Sequence, residues 1–403
     1  MPSIVIVVDN YVAGGVDIVT SQLLDHYSKM DCCLTLISNS NNPTLHKFKA
    51  QDSSGTNYVS FGWVLTRWFT TSEGRHRFPY GQMMRYFLEI ALFPWYVIRF
   101  AWIFRTHDKS NFLCINGGYP GSSLVRAAAV GSKFPFRRGT CILSIHNMAV
   151  KSRKLLAFID NCLDFLVFSS VDQVLGVSES CLLSLKVRPQ SAKTPDKKVI
   201  RNSISKSTDF NILMNSSLVI PDSKIKFFMP CTYDPRKGHE IALRALAVMI
   251  DAGISASLVC AGDDPSGYKG EVEKLSQLLG IKSHVQLLEY QTDISSLYRN
   301  SHVVLAPYLG PESFCLTILE ALSLGRPVIA TKIDAIVEIY ESCDSVKLIP
   351  SADVSALAIA MMDVTGHNAA VQCFKESPVI NFLTSFQSDY MFHQYDEVMR
   401  VSV

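Results

Sequence analysis

Two carboxylates, Glu312 and Glu320, stand on either side of the start of a predicted helix. A carboxylate accepts hydrogen bonds from hydroxyl groups, which sugar and ribose rings supply. The helix N-terminus between them would direct free backbone N–H groups, from about Phe314 to Thr317, at a ligand, and this arrangement suits a phosphate. Together these groups suit a sugar joined to a phosphate. Alternatively, one glutamate merely favours the helix dipole and the other lies on a solvated face.

The stretch Pro311–Thr331, PESFCLTILEALSLGRPVIAT, contains the elements that must position these carboxylates. Apolar residues at helical spacing give a short helix one apolar face, and they are Leu316, Leu319, Ala321 and Leu322. Gly325 ends this helix, and Pro327 cannot continue it. The run Val328–Ala330 then predicts a buried strand.

The whole stretch resembles the Glu-x7-Glu signature of the retaining, nucleotide-sugar-dependent glycosyltransferases of family four. The residues that match the family pattern are Glu312, Phe314, Leu316, Leu319, Glu320, Ala321, Gly325, Pro327, Val328, Ile329 and Ala330. Ser313 and Cys315 stand where glycines are usual. The resemblance implies an α/β chain with the GT-B fold, in which two Rossmann-like domains face each other across a cleft and a C-terminal helix crosses back to the first domain.

At 403 residues, 48% of them hydrophobic, the chain is long enough for two domains with sizeable cores. With the resemblance, we predict an acceptor-binding domain over residues 1–205 and a nucleotide-sugar-binding domain over residues 206–379. Residues 380–403 are predicted to form the returning helix. The polar run 204–224 is predicted to be the linker.

The net charge of +2 hides an asymmetry between the two halves of the chain. Residues 1–205 hold 23 Lys/Arg and 13 Asp/Glu, which gives +10, and residues 206–403 hold 15 and 23, which gives −8. A basic half suggests a polyanionic partner. An anionic membrane surface or a lipid phosphate fits better than nucleic acid, because no nucleic-acid motif accompanies the charge.

The cysteines indicate a reducing compartment. There are eleven, with no C-x-x-C pair and no spacing typical of zinc ligands, so we expect neither disulfides nor structural zinc. The opening run MPSIVIVVDN has no basic segment and no cleavage site, which favours a first strand over a signal peptide. We therefore expect a cytoplasmic protein, which would work at the inner face of the membrane if its basic half binds lipid.

Residues 81–105, GQMMRYFLEIALFPWYVIRFAWIFR, interleave aromatic residues with arginines. Glu89 and Pro94 interrupt the run, so no uncharged segment reaches the ~18 residues of a spanning helix, and two short helices are predicted. Either they lie at a membrane interface, with aromatic rings among the headgroups and arginines at phosphates, or they pack as core helices on the N-terminal sheet.

A glycine pair, Gly14 and Gly15, follows the strand predicted over Ile4–Val8 and precedes a predicted helix. Glycines at such a junction let the backbone approach a phosphate closely, although glycine pairs often simply make turns. In the resembled family, a Gly-Gly pair in this first loop closes over the donor diphosphate.

Two further loops follow strands of the first domain, where open α/β sheets bind ligands. Tyr119 lies in the glycine-rich loop after one strand, and His146 and Asn147 follow the strand predicted over Thr140–Ile145. The resembled family has a histidine here that contacts the donor sugar. Tyr119 and Asn147 are assigned to the acceptor. A plain turn and a structural histidine are the alternatives.

Lys237 and Gly238 lie between a predicted strand and a predicted helix, where the ammonium is placed to meet a diphosphate. The resembled family has G-R-x-x-x-x-K-G here, and both of its cations bind the diphosphate. This chain has Cys231 and Thr232 in place of the Gly-Arg pair. Arg236 carries the right charge, but its register is wrong for a direct replacement.

The resemblance implies catalytic roles for His146, Lys237 and Glu312. The residues it assigns to donor binding are Gly14, Gly15, Thr232, Phe314, Cys315, Leu316, Thr317, Glu320 and Tyr290. Glu320 would bind the ribose hydroxyls, Glu312 the sugar hydroxyls, and Tyr290 would lie near the base. No D-x-D triplet occurs, so the metal-dependent GT-A arrangement is not supported. We expect no metal and no cofactor besides the donor, a nucleotide diphosphate sugar.

The implied activity is retaining transfer of a hexose-type sugar to a glycan or lipid-linked acceptor, in surface polysaccharide synthesis. A nucleotide-sugar epimerase on the same fold is one alternative, but it would leave the basic, aromatic region 61–154 without a role. A catalytically inactive GT-B binding module is the other. It would explain Thr232, Cys315 and Ser203, but the polar residues expected at the site all remain.

Overall fold

The computed structural model describes residues 2–10, 14–40, 42, 49, 55–61, 81–107, 109–134, 139–152, 154–194, 196–204, 224–291, 293–366 and 377–401. The chain divides into two compact units. The first contains the described residues up to Ser203 and those from Ser388 onward, and the second contains those from Ile204 to Gln387. Most of the predicted linker lies outside the described residues.

The first unit is built on a parallel sheet with the strand order β3-β2-β1-β4-β5-β6-β7. Its strands are β1 Ser3–Val8, β2 Cys33–Asn39, β3 Asn57–Phe61, β4 Asn111–Asn116, β5 Cys141–Ile145, β6 Gln173–Gly176 and β7 Asp196–Val199. The β-branched run Ile4–Val8 is buried in the middle of this sheet. This confirms the first predicted strand, since only a strand covered on both faces reads as a continuous apolar run.

Helices cover both faces of this sheet. They are α1 Gly15–Ser28, α2 Gly81–Ile103, α3 Ser123–Gly131, α4 Ala157–Phe168, α5 Glu179–Ser184 and, from the end of the chain, α13 Ser388–Met399. The connections through α2, α3 and α4 all run toward β7, whereas the connection through α1 runs toward β3. Because such crossovers are right-handed, α2, α3 and α4 share one face and α1 lies on the other.

Helix α13 packs against α1. The Nε2 atom of His26 lies 3.0 Å from Oδ1 of Asp396, and the His26 ring stacks on Phe392 with their centroids 4.3 Å apart. Met391, Tyr395 and neighbouring apolar residues of α13 join the core of the first unit. The last helix of the chain therefore belongs to the first unit.

The prediction of two short helices over residues 81–105 is wrong. Helix α2 is continuous from Gly81 to Ile103 and contains Pro94. A proline inside a helix costs about 3 kcal/mol, and the burial of aromatic side chains on both sides of it offsets this cost. These side chains are Phe93, Tyr96 and Phe100. By length and composition alone, the segment Met84–Thr106 is also long and apolar enough to cross a membrane.

The second unit contains a parallel sheet with the strand order β10-β9-β8-β11-β12-β13. Its strands are β8 Ile225–Pro230, β9 Ala256–Ala261, β10 Val285–Leu288, β11 Val303–Ala306, β12 Val328–Thr331 and β13 Val346–Ile349. Its helices are α6 His239–Asp251, α7 Lys269–Leu278, α8 Ser295–Arg299, α9 Leu316–Ser323, α10 Asp334–Tyr340, α11 Val354–Gly366 and α12 Ser377–Thr384. Strands β8 and β11 are neighbours, so the loops that follow them meet at one edge of the sheet.

The tail was predicted as a single helix over residues 380–403, whereas the structure has two helices in different units. Helix α12 belongs to the second unit, because Phe382 packs against Tyr340 and Phe386 packs against Phe314, each pair with centroids 6.0 Å apart. Helix α13 belongs to the first unit. The break falls between them, where one set of aromatic contacts ends and the other begins.

Candidate functional site

The candidate site of the second unit is centred on an ion pair between Lys237 and Glu312. Lys237 ends the short turn Pro235–Lys237 after β8, and Glu312 lies in the loop after β11. The ammonium lies 3.0 Å from the Glu312 carboxylate, and the two side chains are only 25% and 18% exposed. Both groups therefore lie at the carboxyl edge of the sheet, where parallel α/β sheets bind ligands.

Lys237 keeps its charge in this partly buried place. Its Nζ atom lies 4.0 Å from the centroid of the Tyr308 ring, which favours a cation. Burial has the largest single effect and would lower the pKa of Lys237, but the charge of Glu312 and its hydrogen bond, together with Cys315 and Cys231, raise the pKa overall. A partly desolvated cation of this kind can bind a phosphate strongly.

Gly238 is required by the local geometry. Its φ is +80°, a conformation that L side chains rarely adopt, and a Cβ atom there would lie 2.0 Å from the carbonyl oxygen of Pro307. The chain after β8 thus touches the chain after β11 at this point. The glycine is what allows Lys237 and Glu312 to approach each other.

Helix α9 begins beside the ion pair, with Cys315 as its N-cap. Cys315 has φ 66° and ψ 71°, in the left-handed region, and its thiol is buried. The family resembled by the sequence has a glycine here, which such a backbone favours. The N–H groups of the first turn, including those of Leu316 and Thr317, precede the first hydrogen bond of the helix and form an anion-binding terminus.

Two predicted donor residues, Thr317 and Phe314, are held by contacts that the sequence pattern does not predict. Tyr308 donates to the Thr317 hydroxyl at 3.2 Å, and that hydroxyl donates to the Pro230 carbonyl at 3.3 Å. The buried Phe314 ring packs against Tyr340, so only its backbone can serve a donor.

Glu320 is oriented by a tyrosine that the sequence did not single out. The Tyr298 hydroxyl donates to Oε2 of Glu320 at 2.8 Å. Burial raises the pKa of Glu320, while this hydrogen bond opposes the rise. Tyr298 itself is buried in α8. A tyrosine on a short helix carries no distinguishing signal, so this contact could only be seen in the structure.

Arg236 does not replace the arginine that the resembled family has at the position of Thr232. Its guanidinium binds the Asp234 carboxylate, with Nη2 2.8 Å from Oδ2, and it is largely exposed. Cys231 points elsewhere, since its Sγ atom lies 3.7 Å from Nε2 of His239. Position 232 therefore contributes a hydroxyl where the family has a guanidinium.

Tyr290 lies far from the Lys237–Glu312 ion pair. It follows β10, which is the edge strand of the sheet and lies three strands away from β11. Its side chain is 53% exposed. At the usual strand spacing this is roughly 14 Å from the strand that leads to Glu312.

In the first unit, His146 follows β5 and is almost completely buried. Its Nε2 atom lies 2.9 Å from the Ser144 hydroxyl, which lies 3.4 Å from the Tyr395 hydroxyl of α13. Burial lowers the pKa of His146 to about 4. The imidazole is therefore neutral near pH 7, so it can exchange hydrogen bonds with a hydroxyl without adding charge.

The other predicted residues of the first unit differ in accessibility. Gly14 and Gly15 are exposed at the start of α1, and the Gly14 N–H donates to Asp17 at 2.9 Å. Asn147 is exposed, and its side-chain oxygen accepts from the N–H of Met148 at 2.8 Å. These residues lie at the carboxyl ends of β1 and β5, as predicted.

The assignment of Tyr119 to the acceptor is not supported. Its ring is buried, and its hydroxyl donates to Asp164 at 2.8 Å. Arg188 completes this internal cluster, with its guanidinium 5.4 Å from the centroid of the Tyr119 ring. A ring enclosed in this way supports the loop that contains it rather than a substrate.

Among the residues that the structure describes, no group of three or more His, Cys, Asp or Glu side chains is placed to hold a metal ion. The ten described cysteines are free thiols.

Comparisons with known proteins place this geometry in context. The family model described as glycosyl transferases group 1 matches residues 224–366, which contain the ion pair and α9. The phosphatidyl-myo-inositol mannosyltransferase of Mycobacterium leprae is 31% identical over 132 residues, 32% of this chain and 34% of that protein. The D-inositol 3-phosphate glycosyltransferase of Corynebacterium urealyticum is 33% identical over 133 residues, 31% of each chain. The match thus spans about a third of the length of these relatives.

Solved structures resemble the chain over its whole length. A glycosyltransferase from Rickettsia africae has a TM-score of 0.74 at 17% identity, covering 100% of this chain and 99% of its own. Anabaena Alr3699/HepE, solved with UDP and glucose, has a TM-score of 0.72 at 15% identity and full coverage of both chains. This likeness shows the fold and confirms the predicted α/β GT-B architecture.

Proposed function

We propose that the protein is a retaining, nucleotide-sugar-dependent hexosyltransferase, because residues 224–366 match the family model described as glycosyl transferases group 1 and the chain has the GT-B fold. The observation that carries the proposal is the Lys237–Glu312 pair beside the N-terminus of α9. It combines a cation and backbone N–H groups for a diphosphate with a carboxylate for sugar hydroxyls.

The step that most requires stabilisation by the protein is departure of the nucleoside diphosphate. The bond between the anomeric carbon and the phosphate oxygen breaks, and a bond to the acceptor oxygen forms on the same face. The leaving phosphate oxygen takes the acceptor proton. Negative charge develops on the phosphate, and a preorganised cation and helix N-terminus stabilise such charge. Lys237 and the N–H groups of Leu316 and Thr317 fill this role.

The remaining residues bind and orient the donor. Glu320, oriented by Tyr298, accepts from the ribose hydroxyls, and Glu312 accepts from the sugar. In the first unit, neutral His146 is suited to exchange hydrogen bonds with a sugar hydroxyl. The reaction needs no metal, because Lys237 and the helix terminus supply the positive charge.

The acceptor we propose is a glycan or a lipid-linked alcohol at the inner face of the membrane, in surface polysaccharide synthesis. Two observations support a phosphate-bearing acceptor. The first half of the chain carries the excess of positive charge, and the relatives are named for phosphatidyl-myo-inositol and D-inositol 3-phosphate.

One observation favours a second candidate, a GT-B module that binds a sugar nucleotide without turning it over. Thr232 supplies no cation, and Arg236 is bound to Asp234. If this candidate is correct, Thr232→Arg should create transfer activity that the wild-type protein lacks.

The test begins with thermal stabilisation of the purified protein by a panel of nucleoside diphosphates and nucleotide sugars. A ligand at about a hundred times its dissociation constant adds about 2.7 kcal/mol, which is readily measured. We expect one diphosphate to stabilise the protein and Lys237→Ala to abolish the shift. Product analysis with that donor then follows. Stabilisation without transfer to any acceptor would favour the inactive module, and no stabilisation by any donor would contradict both candidates.

A further inference from the structure

Helix α2 has an outward face that is almost entirely apolar. Its exposed apolar side chains recur at intervals of three, four, seven or eight residues, so they form one stripe along the helix, and they are Met84, Phe87, Trp95, Ile98 and Trp102. The opposite stripe is packed in the core of the first unit, where Phe100 contacts Phe61 and Phe104. A helix that is apolar all round is normally covered on every side. Among the described residues, this one is covered on one side only.

Helix α4 buries charged side chains and exposes apolar ones. It buries two carboxylates, Asp160 and Asp164, which lie 3.1 and 3.4 Å from the buried guanidinium of Arg188. Its exposed side carries Phe158, which is 81% exposed, and Phe165. A helix on a water-exposed surface has the opposite arrangement, so the sequence of α4 suits an apolar environment outside the protein.

The two helices lie on the same side of the sheet. Helices α2, α3 and α4 share one face of the sheet by the handedness of their crossovers. The Tyr86 hydroxyl of α2 donates to Asp160 of α4, which fixes the two helices to each other. Both stripes therefore belong to the helix layer that covers this face of the sheet, and together we call them the α2–α4 face.

Cations border this face. The guanidinium of Arg99 lies 5.7 Å from the centroid of the Trp95 ring, and the ammonium of Lys193 lies 5.8 Å from that of Phe165. Arg105 is exposed in the turn that follows α2. The carboxylates of these two helices are all engaged inside the protein: Asp160 and Asp164 as above, and Glu89 with Arg85 at 2.8 Å. Aromatic rings beside arginine and lysine, without free carboxylates, are complementary to an anionic lipid surface.

We propose that the α2–α4 face docks onto an anionic lipid bilayer, with α2 lying along the surface and its apolar stripe among the acyl chains. Helix α2 lies along the surface because its inner side is part of the core and would have to leave it to cross the membrane. A second copy of the chain is a poorer occupant, since a two-fold interface is self-complementary and the cations of this face have no free carboxylates of these two helices to pair with. The proposal goes beyond the transfer reaction and does not depend on it.

Co-sedimentation with phosphatidylcholine vesicles, with and without phosphatidylglycerol, tests this docking. We expect the full-length protein to bind the anionic vesicles and salt to weaken the binding. Trp102→Glu and Phe158→Glu should each weaken binding by about tenfold or more, because each puts a charge where acyl chains must pack. Arg99→Gln should weaken it by about fivefold, as expected for one juxtamembrane cation.

Leu278→Glu is the matched control, because Leu278 is an exposed apolar residue of the second unit at 84% exposure. It should bind vesicles like the wild-type protein. Far-ultraviolet circular dichroism and the midpoint of thermal unfolding check that every variant remains folded. The proposal would be overturned if the wild-type protein did not bind anionic vesicles. It would also be overturned if Trp102→Glu and Phe158→Glu bound as well as Leu278→Glu. A wild-type dimer that Trp102→Glu converts to monomers would overturn it as well, since the face would then be covered by a second copy.

Discussion

The ammonium of Lys237 lies 3.0 Å from the carboxylate of Glu312, although 75 positions separate the two residues in the chain. Each neutralises the other in a place where either alone would be poorly solvated. A donor diphosphate would compete with Glu312 for the lysine, and the carboxylate would then turn to the sugar. In the unliganded site both groups therefore stay ionised, and their charges sum to zero.

Lys237→Ala should lower kcat by about a hundredfold or more, which is typical for loss of one group that stabilises developing charge. Steady-state kinetics with the donor found by thermal shift measure this. The matched control is Arg236→Ala, which removes the neighbouring cation that is already bound to Asp234. Equal losses in the two variants would contradict the role of Lys237.

Glu320→Ala should raise KM for the donor more than it lowers kcat, because ribose hydroxyls are bound equally in the ground and transition states. Tyr298→Phe removes the hydroxyl that orients this carboxylate. It should raise KM in the same direction by a smaller factor, about fivefold for a loss near 1 kcal/mol. A fall in kcat with unchanged KM in both variants would contradict the ribose assignment.

Gly238→Ala should destabilise the second unit by more than 2 kcal/mol, because its Cβ atom would overlap the carbonyl of Pro307 and the left-handed backbone adds about 1 kcal/mol. Gly253→Ala is the control, since Gly253 has nearly the same φ, +79°, but open space at the Cβ position. It should cost only the backbone term. Urea unfolding curves of the two variants separate the overlap from the backbone strain.

Cys315→Gly should be more stable than Cys315→Ala by about 1 kcal/mol. Both variants lose the buried thiol, but only glycine adopts φ 66° without strain. Alanine is the better residue inside a helix, but glycine is preferred to alanine at an N-cap, so the cap position and the backbone conformation favour the same variant. Chemical denaturation of the two proteins decides it, and greater stability of the alanine variant would show that the thiol packing, rather than the backbone, sets the cost.

The stability of the first unit should fall on acidification from about pH 6.5 to about pH 4 because of His146. Burial lowers the pKa of this histidine to about 4 in the folded protein, whereas the unfolded chain takes up the proton near 6.5. The unfolded state therefore binds more protons in this window, and up to about 3 kcal/mol is lost as the pH falls. His146→Gln should flatten the dependence of unfolding free energy on pH. An unchanged slope would contradict a buried, neutral His146.

Much of the second unit could be predicted from the sequence, because its signals are local. The apolar run at Val328–Ala330 is a strand, and Leu316–Ser323 is a helix that ends before Gly325 at φ +70°. Parallel strands covered on both faces leave continuous apolar runs, which can be read without knowing the partners. For the same reason Lys237 and Glu312 could be placed at strand ends.

Predictions failed where distant packing outweighs a local signal. Pro94 is tolerated within α2 because the aromatic residues around it are buried in the core. The tail divides into α12 and α13 because Phe386 and Phe392 belong to different cores. The loop position of Tyr119 predicts contact with a ligand, but its hydroxyl donates to the buried Asp164, 45 positions away.

The sequence by itself determined the order of strands and helices, the two carboxylates around α9 and the lysine-glycine step after β8, because backbone geometry and hydrophobic periodicity act over a few residues. Only the tertiary structure decided that Lys237 pairs with Glu312, that Tyr298 orients Glu320 and that α2 and α4 turn apolar faces outward. These relationships join segments that are far apart in the chain. They depend on which strands are neighbours and which side of a helix is covered, and local periodicity contains neither.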